Sequence, residues 1–351
     1  LTLPRKGAGA ALRHDSALKH TTGEARYADD LPEVPGLLHA ALVLSGIPHG
    51  RVTALHTEAA RAMSGVVAVI GPRDIPGRND IAPIGADEPL FADPVVEFAG
   101  MPLAMVVAAD RDAALRAAAL EPVLSVERAL ELRRYVVPPQ VLARGDAGAA
   151  LAAAPRRIEA GFRCGGQEHF YLEGQVAIAT PGEDGEMGVV SSTQHPSEVQ
   201  HVVSRVLGCA YNAVTVTCRR MGGGFGGKES NASWVAAAAA VAARVTGRPV
   251  KLRLPRRADM TATGKRHPFL YRWTAGFDDA GRITALDATL AADGGWSADM
   301  SGGVVFRAVT HALNCCDVPD VRITGCAVKT NTVSHTAFRG FGGPQGALLM
   351  E

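Results

Sequence analysis

The hydrophobic positions change rhythm along the chain. Between residues 38 and 120, short apolar runs ("LHAALVL", "VVAVI", "PLAMVVAAD") alternate with segments of helical period ("TEAARAMSG", "RDAALRAAAL"), which predicts interleaved strands and helices. Beyond residue 156 the strand patterns lengthen, as in "MGVVSST", "AVTVTCRR", "PVKLRL" and "YRWTAGF". Helices are predicted there for "SEVQHVVSRVLG" and for the alanine-rich "ASWVAAAAAVAARVTG", closed by Gly247 and Pro249. Pro138, Pro139, Gly145 and Gly148 interrupt the pattern and predict a linker. This interleaving fits an α+β organisation, with an N-terminal arm at 1–15, a smaller α/β domain at 16–136, a linker at 137–155 and a mixed domain from 156 to 351.

Composition narrows the classes of partner. With 36 Lys and Arg against 35 Asp and Glu, the chain has no basic excess to condense on a phosphate backbone, so nucleic acid is not an expected partner. No apolar run reaches the roughly 18 residues that span a bilayer, and the N-terminal residues lack the apolar core of a secretory signal. A membrane partner is not expected, and a cytoplasmic location is the default. The chain starts at Leu1 and stops at Glu351 directly after an apolar run, which leads us to expect a piece of a longer polypeptide. The cysteines, at 164, 209, 218, 315, 316 and 326, show no C-x-x-C spacing and read as free, mostly buried thiols rather than metal ligands.

The densest chemistry lies in "MGGGFGGKES", residues 221 to 230, between a predicted strand at 214–219 and a predicted helix at 232–246. Glycines there admit an anionic or planar ligand close to the unpaired N–H groups of a helix start. Gly222, Gly224 and Gly227 satisfy G-x-G-x-x-G, but the following "RVTGRPVKLRL" lacks the acidic residue a dinucleotide fold requires. Gly222 to Lys228 satisfies G-x-x-x-x-G-K, but Glu229 stands where a phosphate loop needs a small hydroxyl. A tight turn without a ligand is the plain alternative. A second glycine and aromatic cluster, "HTAFRGFGGPQGA" at 335–347, repeats this chemistry with Arg339 added, and two such ribbons can enclose a flat ligand.

These two ribbons, with "GQEHFYLEGQ" (166–175), "SSTQHPSEVQ" (191–200) and "TGKRHPF" (263–269), resemble in order the motifs of the molybdenum hydroxylases, and among them the molybdenum-binding large subunit of the xanthine dehydrogenases. "HDSALKHTTGEARYADD" (14–30) is similar to the entry into that family's hammerhead domain. The resemblance implies a hammerhead-like domain followed by the first part of a molybdopterin-binding domain. It also implies a molybdenum held by the pterin, without a direct protein ligand.

Residue by residue, the resemblance gives Gln194 a hydrogen bond to an oxo ligand of the metal, and gives Phe225, Gly226 and Arg339 contacts to the cofactor. It gives Glu229 and Arg307 a grip on opposite ends of a purine and a part in catalysis, and Phe341 a stacking role. The implied reaction hydroxylates hypoxanthine or xanthine at a ring carbon with water-derived oxygen and hydride transfer to a Mo-sulfido group. FAD and 2Fe-2S clusters on a partner subunit, and a second copy of the heterodimer, are the implied partners.

Considered singly, Arg307 reads as a surface residue, Glu229 as a carboxylate at a helix start, Gln194 as a loop amide and Phe341 as core. His169 and His195 read as satisfied buried histidines, Lys228 as structural, and Lys265, Arg266 and His267 as a solvated basic cluster. The family's glutamate base finds no counterpart in these residues, and "EPVLSVERALEL" departs from the family pattern, as a shortened hammerhead domain would. On this reading the 351 residues alone are expected to bind cofactor weakly and to turn over nothing. An aldehyde oxidase-type subunit and a non-catalytic purine- or nucleotide-binding module are the alternatives.

Overall fold

A computed structural model describes residues 13–119, 123–126 and 134–351. Most of the expected arm, and most of "EPVLSVERALEL" with the expected shortening, lie outside the described residues. Strand Val123–Val126 is described and pairs antiparallel with Gly50–Ala54, which also pairs with Val95–Val96.

The apolar runs form a seven-stranded mixed sheet that crosses the boundary placed near residue 136. Its order runs Val214–Thr217, Met187–Ser191, Val176–Pro181, Val250–Arg253, Leu38–Leu44, Pro102–Ala108, Val66–Ile70. The join between the early and late halves is the parallel pair Leu38–Leu44 and Val250–Arg253, with Leu38 opposite Val250. Pro102–Ala108 is buried along its whole length. That is why it reads as a continuous apolar run and not as an alternation.

Helices Pro196–Leu207 and Asn231–Thr246 pack beside one another against this sheet and share one core cluster with it. Every residue from Asn231 to Ala243 is buried, so the helix has no solvent stripe and shows little amphipathic period. Its alanines keep it thin enough to fit, and Gly247 ends it in the left-handed conformation.

The second sheet has five strands, in the order Tyr135–Arg144, Asp320–Lys329, Ile283–Gly295, Phe269–Phe277, Arg156–Cys164. Its two parallel strands, Ile283–Gly295 and Asp320–Lys329, are separated in sequence by helix Ser301–Thr310, which covers the sheet. The expected linker at 137–155 is corrected here. Residues Tyr135–Arg144 are an edge strand paired with Asp320–Lys329, and Ala147–Ala153 is a helix capped by the Asp146 carboxylate. Prolines are tolerated on an edge strand because one side of it has no ladder to satisfy, so Pro138 and Pro139 did not mark a break. The six cysteines are free, but the expectation of mostly buried thiols fails: only Cys326 among them is buried, Cys164, Cys209 and Cys218 are partly exposed, and Cys315 and Cys316 are exposed after helix Ser301–Thr310.

Candidate functional site

The two glycine-rich ribbons lie against each other. The backbone N–H of Arg339 donates to the carbonyl of Phe225 at 2.8 Å. Gly226, at φ +99°, approaches Ala337 so closely that a Cβ would stand 2.5 Å from its carbonyl oxygen. His169 closes the same seam, with Nε2 donating to the Ala337 carbonyl at 2.8 Å. Burial holds the His169 imidazole below its usual range, so it serves here as a neutral clamp. The second ribbon is seated on helix Ser301–Thr310: a Cβ on Gly342, at φ +90°, would meet the Val304 carbonyl at 2.1 Å.

Between the ribbons opens a cleft of about 380 Å³ lined by Gln194, Phe225, Gly226, Glu229 and the run Ala337 to Phe341. Phe225 and Phe341 both hold the left-handed backbone region, at φ 54° and 46°. Non-glycine residues kept there cost about 1–3 kcal/mol each and concentrate at ligand clamps.

The first ribbon is braced from below. Lys228 is fully buried and donates to the Glu173 carbonyl and to the Ser192 hydroxyl, each at 2.7 Å. Its ammonium stands 3.5 Å from the Glu173 carboxylate, which also accepts from the N–H groups of Gly222 and Ala28. Burial lowers the Lys228 ammonium and Glu173 opposes that shift.

Gln194 is oriented by this loop. Its Oε1 accepts from Gly226 N–H at 2.8 Å and Lys228 N–H at 3.3 Å. Two backbone donors fix which end of the amide is oxygen. The NH₂ end has no hydrogen-bond partner among the described residues, and the side chain lines the cleft. The arrangement is therefore a neutral donor held at the mouth of the cleft. Glu229 is half-buried on the same wall, and desolvation raises its carboxyl above the usual value while nearby His195 lowers it.

Arg307 does not line the cleft. It is exposed on helix Ser301–Thr310, where its Nε lies 3.7 Å from the position of a Cβ on Gly343. The ring of Phe341 seats on Gly303 of the same helix.

Two expectations about neighbouring residues are corrected. His195 is exposed as the residue preceding helix Pro196–Leu207, not buried. Arg266 and His267 are buried, not solvated: the Arg266 guanidinium lies 3.9 Å over the Phe338 ring and donates to the Arg339 carbonyl, and His267 pairs with the Ser301 hydroxyl at 2.8 Å. Their shielding comes from the second ribbon and from helix Ser301–Thr310, both distant in sequence. A basic tripeptide gives no local signal of that cover. The support from His169, Glu173 and Arg266 was likewise not assigned from sequence, since each acts on a segment far along the chain.

Residues 134–351 match the family model of the molybdopterin cofactor-binding domain. The chain belongs to the molybdenum hydroxylase family. Residues 22–124 match that family's aldehyde oxidase and xanthine dehydrogenase a/b hammerhead domain. The chain is 41% identical over 351 residues to a xanthine dehydrogenase of Blastobotrys adeninivorans, covering 96% of this chain and 25% of that protein. It is 42% identical over 355 residues to xanthine dehydrogenase 1 of Arabidopsis thaliana, covering 98% and 26% respectively. The chain thus spans about a quarter of the length of these relatives. Among solved structures, the aldehyde oxidoreductase of Desulfovibrio gigas matches with a TM-score of 0.85 at 27% identity, over 96% of this chain and 40% of that one. Quinoline 2-oxidoreductase from Pseudomonas putida 86 shares the fold, with a TM-score of 0.84 at 24% identity, over 98% and 47%.

The site fits the family's cofactor on its own geometry. An open cleft between the two ribbons, with an amide NH₂ that has no partner among the described residues and a fixed orientation, suits a metal-oxo group that needs a neutral donor. Among the described residues no three His, Cys, Asp or Glu side chains gather as a metal cage. No helix among them is long and apolar enough to cross a membrane.

Proposed function

We propose that the chain is the hammerhead and first molybdopterin-binding portion of a xanthine dehydrogenase, which hydroxylates hypoxanthine and xanthine. The observation that carries this reading is the single cleft that brings Glu229 and Phe341 together with the free NH₂ of Gln194. The relatives named xanthine dehydrogenase support it further.

In this reading Gln194 donates to an oxygen of the cofactor, and Phe225, Gly226 and Arg339 hold it through the paired ribbons. When bound, the molybdenum group supplies the oxygen-transfer and two-electron chemistry. Phe341 stacks on the heteroaromatic ring and fixes its plane. Glu229 grips a ring N–H, or shares its proton as charge shifts, and partial burial suits it to both. Arg307 meets the end of the ring that projects out of the cleft, where a guanidinium stabilises accumulating negative charge. Electrons leave through FAD and 2Fe-2S centres on a partner subunit, in an assembly of paired heterodimers in the cytoplasm.

In the full-length protein, Glu229→Ala and Arg307→Ala should each lower kcat/KM for xanthine by about 100-fold or more while leaving molybdenum content unchanged. Unchanged purine kinetics in both variants would sink the substrate assignment. A second reading, an aldehyde-oxidising hydroxylase, is favoured by the match to the Desulfovibrio gigas enzyme. Faster turnover of an aromatic aldehyde than of xanthine by the wild-type protein would select it.

A further inference from the structure

Beneath the first ribbon a buried chain of hydrogen bonds ends on the peptide that joins Gly227 to Lys228. Gln175 is fully buried, and Tyr171 and Asp259 are each 1% exposed. The Tyr171 hydroxyl donates to Asp259 Oδ1 at 2.7 Å, and the Gln175 backbone N–H donates to Asp259 Oδ2 at 3.2 Å. Gln175 Nε2 donates to the Tyr171 oxygen at 3.0 Å and to the Gly227 carbonyl at 2.8 Å. None of the three residues lines the cleft.

The two ends of this chain set the direction of every bond in it. A carboxylate only accepts, so the Tyr171 hydroxyl gives its one hydrogen to Asp259 and turns a lone pair to Gln175. Burial, and then Asp259, holds the Tyr171 hydroxyl above its ordinary range, which keeps it a donor. The Gly227 carbonyl is an acceptor too, so both hydrogens of the Gln175 NH₂ are committed. Gln175 Oε1 is buried without a partner among the described residues, and turning the amide over would set that oxygen against the Gly227 carbonyl. Asp259 itself belongs to helix Arg256–Ala262 and lies 3.2 Å from the Thr263 hydroxyl.

One planar group carries this order to the cleft. The carbonyl of Gly227 and the N–H of Lys228 belong to the same trans peptide and point to opposite sides. Gln175 holds the carbonyl, and the N–H donates to Gln194 Oε1 at 3.3 Å. With the Gly226 N–H at 2.8 Å, it sets the tilt of the Gln194 amide. Rotating the plane would turn the N–H from Gln194 and leave a buried carbonyl unpaired. Gly227 restrains that rotation little by itself, and no larger residue could replace it, since a Cβ would stand 2.6 Å from the His169 ring.

We infer that Gln175, anchored by Tyr171 and Asp259, is a positioning residue: it fixes the Gly227–Lys228 peptide plane and thereby the direction in which Gln194 presents its NH₂ to the cleft. The kinetic consequence rests on the proposed contact of Gln194 with the cofactor. The held plane does not, and neither depends on which substrate is turned over.

The experiment uses the full-length protein. Gln175→Met nearly keeps the volume and removes both side-chain donors. Amide hydrogen exchange at Lys228, read by mass spectrometry with residue-level fragmentation, should quicken by about tenfold. Unchanged exchange there overturns the inference. With the preferred substrate, kcat per bound molybdenum should fall by about 10- to 100-fold, with KM little changed because Gln194 faces the cofactor. In the Gln194→Glu background, which has already lost the donating NH₂, Gln175→Met should add no further loss. A packing role alone predicts additive losses, so additivity overturns the positioning role. Should Gln194→Glu itself leave turnover per molybdenum unchanged, the proposed cofactor contact fails, and exchange at Lys228 alone decides the held plane. Should Gln175→Met fail to accumulate, Tyr171→Phe replaces it, freeing one hydrogen of the Gln175 NH₂ while keeping the ring that lies 4.6 Å from the Lys228 ammonium. Exchange at Lys228 should then quicken by about threefold, and an unchanged rate again overturns the inference.

Discussion

The amide N–H of Arg339 and the carbonyl of Phe225 stand 2.8 Å apart, and this bond joins the two glycine-rich ribbons at the floor of the cleft. The cleft keeps its width only if both ribbons approach each other with no side chain between them. Gly226 supplies that closeness on one side and Ala337, 1% exposed, on the other.

Gly226→Ala should therefore destabilise the full-length protein by at least about 2 kcal/mol, since the new methyl adds a clash to a disfavoured φ. Chemical denaturation measures the loss. Molybdenum content should fall in parallel, and a variant with wild-type stability would show that the ribbons are not packed as described.

Gln194 separates two functions within one side chain. Gln194→Glu keeps the oxygen that accepts from Gly226 and Lys228 but replaces the donating NH₂ with a second acceptor. We expect near-native thermal stability, with activity reduced by about 100- to 1,000-fold. Gln194→Ala should lose both activity and loop order. Equal stability losses in the two variants would argue against the assigned amide orientation.

Lys228 is the only cation paired with Glu173 among the described residues, and the pair is buried. Lys228→Met leaves the Glu173 carboxylate without a counter-charge and should cost about 3–5 kcal/mol. Adding Glu173→Gln to Lys228→Met should recover part of that loss. A double-mutant cycle in urea reads the coupling, and additive losses would mean the two charges do not interact.

Acid stability should depend on His267 and Asp293. Burial, reinforced by His335, holds the His267 imidazole down at about 3 against an ordinary value of 6.5. Burial tends to raise the Asp293 carboxyl, but hydrogen bonds with His335 and Thr330 bring it down to about 2. For both groups the unfolded chain binds its proton at a higher pH than the native chain does. Their contribution is therefore complete above the unfolded values and is lost on acidification, from about 6.5 to 3 for His267 and through 2 for Asp293. Each fully weighted proton changes stability by about 1.4 kcal/mol per pH unit. His267→Gln should flatten the fall between pH 6 and about 4, as measured by urea midpoints at stepped pH. An unchanged slope would contradict the assignment.

Much of the fold was legible because it is written in short-range periodicity. The strand over 38–44, the helix ending at Gly247 and the helix after "STQHP" follow from apolar spacing and end signals, and the structure has Leu38–Leu44, Asn231–Thr246 and Pro196–Leu207. The linker reading failed because prolines in an edge strand look the same in sequence as prolines in a connector. Only the ladder with Asp320–Lys329, in which Val137 pairs with Ala327 and Gln140 with Gly325, distinguishes the two.

The sequence by itself determined the two ribbons, their aromatic and charged residues, and the family to which their order belongs, because glycine spacing and residue type are local properties. Tertiary structure alone decided which of those residues share a cleft. It placed Gln194, Glu229 and Phe341 on one wall or another of it and left Arg307 on an outer helix face. It also buried Arg266, His267, Glu88 and Asp299. The physical reason is that burial and electrostatic environment are set by segments far apart in the chain, so a residue's neighbours in sequence do not report what will cover it.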